Sequence, residues 1–168
     1  GLSTAINISV IQLLVPGFAD TLIGMVHEKR IDPKSITIEI TESVFEYDFD
    51  FINSVLVELK KSGFSLAIDD FGTGYSSLSR EMHLDVDCIK IDKFFIDHIL
   101  EIEKPITCDI IEIAHKQEHY VVGEGVEHVK QLQYLKDHGC DRVQGYLISK
   151  PLDEDVAVKF INEFVYDH

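Results

Sequence analysis

Seven polar side chains stand at the ends of short apolar runs: Asn7, Glu39, Asp69, Asp70, Lys90, Glu124 and Gln144. Asn, Asp and Glu offer hard oxygen atoms, suited to Mg²⁺ or Mn²⁺ and less to a zinc site built on sulfur and imidazole. Several carboxylates sharing one pocket stay ionised only where protons or metal ions offset their repulsion. Asp69 and Asp70 are adjacent, so they point differently from one strand end and together can serve two neighbouring cations. A pair of divalent ions is a device for phosphoryl transfer, because it holds both the attacking and the leaving oxygen. Any one of these acids, taken singly, is read equally well as a satisfied core group. The whole set is harder to dismiss. The histidines offer no rival: His115 and His119 are four apart, but the glutamate of an H-E-x-x-H site is absent.

The elements that must position these groups follow from periodicity. Short β-prone runs recur at 4–9, 36–40, 65–69, 88–92, 120–124 and 142–147. Between them lie segments of helical spacing. Residues 51–61 place Phe51, Ile52, Val55 and Leu59 on one stripe, with Gly63 as a stop. Residues 105–117 open on Pro105, a residue favoured in a first helical turn, and carry Ile106, Ile110, Ile113 and Ala114. Helices are also predicted over 127–138, with Leu132 and Leu135 inward, and over 153–165. Segment 10–29 is helical with an interruption at Pro16 and Gly17. Strands alternating with helices imply parallel β/α units, in either a doubly wound sheet or a (β/α)8 barrel. No G-x-G-x-x-G follows the first strand, which weakens the first option. Six strands would make a barrel lacking two. In such a barrel the carboxyl ends of the strands share one face, so the seven polar positions would converge.

Composition bounds the rest. A chain of 168 residues that is 45% hydrophobic can bury a core as one unit. The net charge of −15 argues against a sequence-independent grip on long nucleic acid, which needs a basic track. It leaves room for a small phosphate ligand held through cations. No apolar run is long enough to cross a bilayer, so membrane contact by this segment is not expected. Cys88, Cys108 and Cys140 are sparse and odd in number, as expected for reduced thiols in a cytoplasm.

Six ordered blocks, "AINIS", "IEITES", "AIDDFGTGYSSLS", "CIKIDKFFI", "VVGEGVE" and "GCDRVQGYLISKP", resemble the EAL-domain family of cyclic-di-GMP phosphodiesterases over essentially the whole length. The resemblance implies a modified TIM-type (β/α)8 barrel, here incomplete with about six β/α units. It implies hydrolysis of cyclic-di-GMP to linear pGpG with two Mg²⁺ or Mn²⁺ ions, and inhibition by Ca²⁺. Asn7, Glu39, Asp69, Asp70 and Glu124 would be metal ligands, with Asp69 bridging and Asp70 serving the second ion. Glu124 would also act as general base. Lys90 would orient the attacking water or a phosphate oxygen, adding positive charge where negative charge builds up. Gln144, Asp70 and Glu127 would contact substrate, Glu127 at a guanine. The loop of Phe71, Gly72, Thr73, Gly74, Tyr75, Ser76 and Ser77 would govern metal binding and a homodimer contact through residues 70–77, steadied by Glu42.

Departures from the family pattern set further expectations. The glutamate of the Glu-Ala-Leu motif is absent, and would lie upstream of Gly1 on missing strands. A single domain fragment over 1–168 would then have an incomplete metal site and be inactive or impaired alone. An upstream sensor or diguanylate-cyclase-type domain is compatible with this, as is a cytoplasmic location with other domains anchoring the full-length protein to a membrane. A non-catalytic cyclic-di-GMP receptor or interaction domain of the same fold is the alternative. An enolase-type barrel explains the strand-end acids and the lysine, but not "DDFGTGYSS" with "QGY".

Overall fold

The structure, a computed structural model, describes residues 2–72 and 84–163. β-branched residues fill the short runs, and six of these form strands: β1 (Thr4–Asn7), β2 (Ile36–Thr41), β3 (Ser65–Phe71), β4 (Cys88–Ile91), β5 (Tyr120–Gly123) and β6 (Arg142–Val143). They pair in chain order and every pairing is parallel. A doubly wound sheet reverses its strand order at a switch point. Sequential order excludes that option, and the sheet curls into a half-barrel of TIM type.

Alternation along the strands divides the sheet into two faces. Ile36, Ile38, Ile40, Leu66, Ile68, Ile89, Ile91 and Val121 face the helices and are buried. The opposite parity gives Thr37, Glu39, Ala67, Asp69, Cys88, Lys90, Tyr120 and Val122, which form the concave, more polar face. Ile38 is 0% exposed at the middle of the core. Ile38→Val removes one methylene from that packing and is expected to lower the unfolding free energy by about 1 kcal/mol, measured by urea titration.

Helices with buried stripes cover the convex face, and the last helix, over 154–163, buries no residue. The helices are α1 (Val10–Leu13), α2 (Phe18–Glu28), α3 (Phe49–Lys61), α4 (Lys93–Asp97), α5 (Thr107–Lys116), α6 (Val129–Asp137) and α7 (Glu154–Glu163). The interruption expected at Pro16 and Gly17 is present: α1 ends at Leu13, and Gly17 caps α2 at φ +76°. Asp48 starts α3 by accepting from the Phe51 N–H at 3.2 Å. The buried stripe of α3 is Ile52, Val55, Leu56 and Leu59, whereas Phe51 is 38% exposed. The stripe is thus rotated from the predicted one, because Leu56 rather than Phe51 faces the sheet. On α5 the buried set is Thr107, Ile110, Ile111 and Ala114, with Ile106 exposed.

Every strand departs from its expected bounds by at least one residue: β1 stops at Asn7 instead of 9, β2 gains Thr41, and β4 and β5 each end one residue early. β3 runs two residues further, to Phe71, through an irregularity described below. β6 stops at Val143 instead of 147 because the backbone turns away to bond elsewhere: the Gln144 carbonyl accepts from Val126 N–H at 3.0 Å. Among the described residues, no helix is long and apolar enough to cross a membrane.

Candidate active site

β2, β3 and β4 bring Glu39, Asp69 and Lys90 to neighbouring points on the concave face, and Glu124 follows directly after β5. Lys90 is the centre of the cluster. Its Nζ lies 2.8 Å from Glu39 Oε1, 2.9 Å from Asp69 Oδ1 and 2.9 Å from Glu124 Oε1. The lysine is 5% exposed, so these are desolvated, charge-assisted contacts. Burial works to lower the Lys90 pKa, but bonds to Glu39, Glu124 and Asp69 outweigh it and hold the ammonium above its ordinary value. Burial pushes the Glu124 carboxyl up to about 7, against the Lys90 bond and charge, and Asp69 adds to the rise. A carboxyl poised there can take and return a proton near neutral pH.

The Asp69–Asp70 pair is explained by the ladder. Ile68 pairs with Ile89 and Phe71 pairs with Ile91, so two residues of β3 stand opposite the single residue Lys90. This is a β-bulge, which bends a strand and re-aims a side chain. Asp70 takes φ +55°, a left-handed conformation that Asp tolerates better than most residues, and its N–H donates to Asp69 Oδ1 at 3.1 Å. The bulge lets Asp70 join its neighbour: one carboxylate oxygen each from Asp69, Asp70 and Glu124 lie within 4.8 Å of one another. Partial desolvation, then the charges of Asp69 and Asp92, push the Asp70 carboxyl above its ordinary range, with Lys90 acting against them. Three hard oxygen donors converging beside a buried cation suit a divalent ion such as Mg²⁺ or Mn²⁺.

Other predicted positions surround this centre. Asn7 is exposed at the end of β1 and pairs in register with Glu39. Gln144 lines a cavity of about 190 Å³ on the concave face together with Glu39, Lys90, Tyr120 and Arg142. Phe71 is buried as the last residue of β3. Gly72 N–H donates to the buried Glu42 carboxylate at 3.1 Å. Gly72 sits at φ +90° with the Phe95 ring 2.8 Å from where a Cβ would be, and both facts require glycine. Thr73, Gly74, Tyr75, Ser76 and Ser77 lie outside the described residues. Glu127 is exposed and pairs with Lys93 at 3.0 Å. His115 bonds Asp141 Oδ2 at 2.8 Å, and both side chains are well exposed.

Sequence reasoning does not single out Lys93 or Gln131. Gln131 is buried, its Oε1 accepting from the N–H groups of Glu127 and His128 and its Nε2 donating to the Ile96 carbonyl. The only local signal is a polar residue three positions into α6, where a capping box would place it.

Known proteins share this arrangement of strands. Residues 1–151 match the EAL domain. Cyclic di-GMP phosphodiesterase NbdA of Pseudomonas aeruginosa is 40% identical over 134 residues, 79% of this chain and 17% of NbdA. The crystal structure of the EAL domain of Mycobacterium smegmatis DcpA is 36% identical, with a TM-score of 0.91 covering 96% of this chain and 73% of that one. The manganese/cyclic-di-GMP complex of Klebsiella pneumoniae BlrP1 is 31% identical, with a TM-score of 0.80 covering 89% of this chain and 39% of that one. The chain spans 17% to 30% of the length of curated relatives such as these. With the match running from β1 to beyond β6 and the same fold in its relatives, the chain belongs to the EAL domain family.

Proposed function

We propose that this domain hydrolyses cyclic-di-GMP to linear pGpG in a metal-dependent reaction. The observation that carries the reading is the convergence of Asp69, Asp70 and Glu124 around the fully engaged Lys90 on the strand-end face. Relatives named as cyclic-di-GMP phosphodiesterases and a relative bound to manganese and cyclic-di-GMP support it. Asp69, Asp70 and Glu124 would hold divalent cations, with Asn7 on β1 and Glu39 on β2 adding further oxygen ligands to the set. When bound, such ions supply positive charge to polarise the phosphate and to acidify water.

The protein's own residues do the remainder. Glu124 accepts the proton of the attacking water at its Oε1, the atom now on Lys90. The water oxygen bonds to phosphorus, and the bond from phosphorus to the ribose 3′ oxygen breaks; that oxygen takes up a proton from water, leaving a 3′ hydroxyl and a 5′ phosphate, and Glu124 returns its proton to solvent. Lys90 keeps the acids in register and turns its charge toward the phosphate oxygens, where negative charge accumulates. Gln144 contributes an amide at the floor, Asp70 faces substrate beside its cation, and Glu127 meets a guanine. Glu42 ties the loop after β3 to the centre through Gly72. Ca²⁺ is expected to inhibit, since it takes more oxygen ligands at longer distances than Mg²⁺.

The test is incubation of the full-length protein with cyclic-di-GMP and Mg²⁺ or Mn²⁺, with chromatography of the products. Turnover to pGpG is expected, falling to background on chelation and returning when metal is restored. A folded, metal-supplemented sample that binds cyclic-di-GMP without forming pGpG would overturn the reading in favour of a receptor.

A further inference from the structure

The segment from Glu124 to His128 links the proposed base to the rim of the site, and it is tied down along its length. Glu124 N–H donates to the Ile91 carbonyl, Val126 N–H to the Gln144 carbonyl, and Glu127 and His128 N–H to Gln131. Lys93, the first residue of α4, adds a different kind of tie. Its Nζ lies 3.0 Å from Glu127 Oε1 and 3.4 Å from the Gly125 carbonyl, and is itself held 2.8 Å from Asp97 Oδ1. Its stem lies against the loop as well: a Cβ on Gly125, at φ +67°, would come within 2.4 Å of Lys93 Cγ. Glycine at 125 is therefore what allows the lysine stem to lie across the loop.

We propose that Lys93 is a positioning residue, whose ammonium fixes the Glu124–His128 loop to α4 and so sets where the Glu124 carboxylate stands relative to Lys90. The inference rests on the phosphodiesterase reading above. Three features support it. Lys93 follows β4, which carries Lys90, by two residues, so the tie joins the two strands whose side chains meet at the centre. The Lys93 and Glu127 side chains are 44% and 39% exposed, and an ion pair this accessible adds little to stability. What it adds is geometry: two ends of one loop, a side chain and a carbonyl, are held by one ammonium.

The experiment compares wild type, Lys93→Met and Lys93→Arg in the full-length protein. Methionine keeps the stem against Gly125 and removes the charged head, while arginine can still donate to both oxygens. Two readouts are taken: cyclic-di-GMP turnover with Mg²⁺ or Mn²⁺, and amide hydrogen exchange of the 124–128 segment without substrate. For Lys93→Met, kcat is expected to fall about tenfold with KM changed less, as for a displaced catalytic group. Amide exchange over Val126–His128 is expected to speed up about tenfold while the core strands stay protected. Lys93→Arg should recover most of both. Unchanged exchange in Lys93→Met overturns the clamp, and faster exchange with unchanged kcat overturns its role in positioning Glu124. If wild type itself shows no turnover, the functional reading fails, and with it the positioning role; the exchange arm still decides the physical tie.

Discussion

Lys90→Met is expected to lower the unfolding free energy by about 3–5 kcal/mol at pH 7, the usual result of removing one partner from a buried charge cluster. The reason is arithmetic of charge. Glu39, Asp69 and Glu124 each contact the same ammonium, and all three side chains are largely buried. Methionine fills the stem's volume but leaves three facing carboxylates without their common cation. Urea titration should show a lower midpoint with an unchanged slope. The deficit should shrink as pH falls, because protonation removes the repulsion that the variant alone suffers. It should also shrink on adding Mg²⁺, which restores positive charge to the oxygens. Glu39→Gln should cost less than Lys90→Met, since the lysine keeps two partners. A midpoint for Lys90→Met equal to wild type would contradict the central place given to this residue.

Glu124→Ala is expected to reduce turnover of cyclic-di-GMP about a thousandfold, within the range for a lost general base. Glu124 lies just past the end of β5, and its backbone N–H is fixed by the Ile91 carbonyl at 3.1 Å. Truncating the side chain therefore leaves the loop's backbone bonds in place, and far-UV circular dichroism should match wild type. Loss of activity with the fold retained separates a chemical role from a structural one. Retained activity would remove Glu124 from the base position.

Much of this centre is legible in the sequence because topology does the assembling. Once strands and helices alternate, Glu39, Asp69, Lys90 and Glu124 all fall at strand ends, and parallel order brings those ends together. What is hidden concerns relations between distant segments. The family resemblance gives Lys90 a contact with water or a phosphate oxygen, yet the lysine also holds three carboxylates, which only the meeting of β2, β3, β4 and the β5 loop reveals. Gln131 reaches Ile96, and Lys93 reaches Glu127, across more than thirty residues. Leu56 displaces Phe51 from the α3 stripe because a helix's rotation on a sheet is set by packing and not by its own period. The early end of β6 likewise depends on its neighbour: at Gly145 a Cβ would lie 2.2 Å from the Val126 carbonyl oxygen, so the two backbones meet where a sixth full strand was expected.

The bulge in β3 has a consequence for how this centre can be gained or lost. In an unbroken strand, residues 66, 68 and 70 would share the core side and Phe71 would fall on the polar side. Instead Phe71 is buried beside Ile91, so the extra residue shifts the phase of the strand by one. Removing Asp70 altogether would restore an ordinary ladder, leave Asp69 on the concave side and keep Phe71 in the core. The second acid is therefore an insertion that the core does not register. A single-codon deletion would strip one acid from the centre while sparing the fold, an outcome no substitution at Phe71 could reproduce.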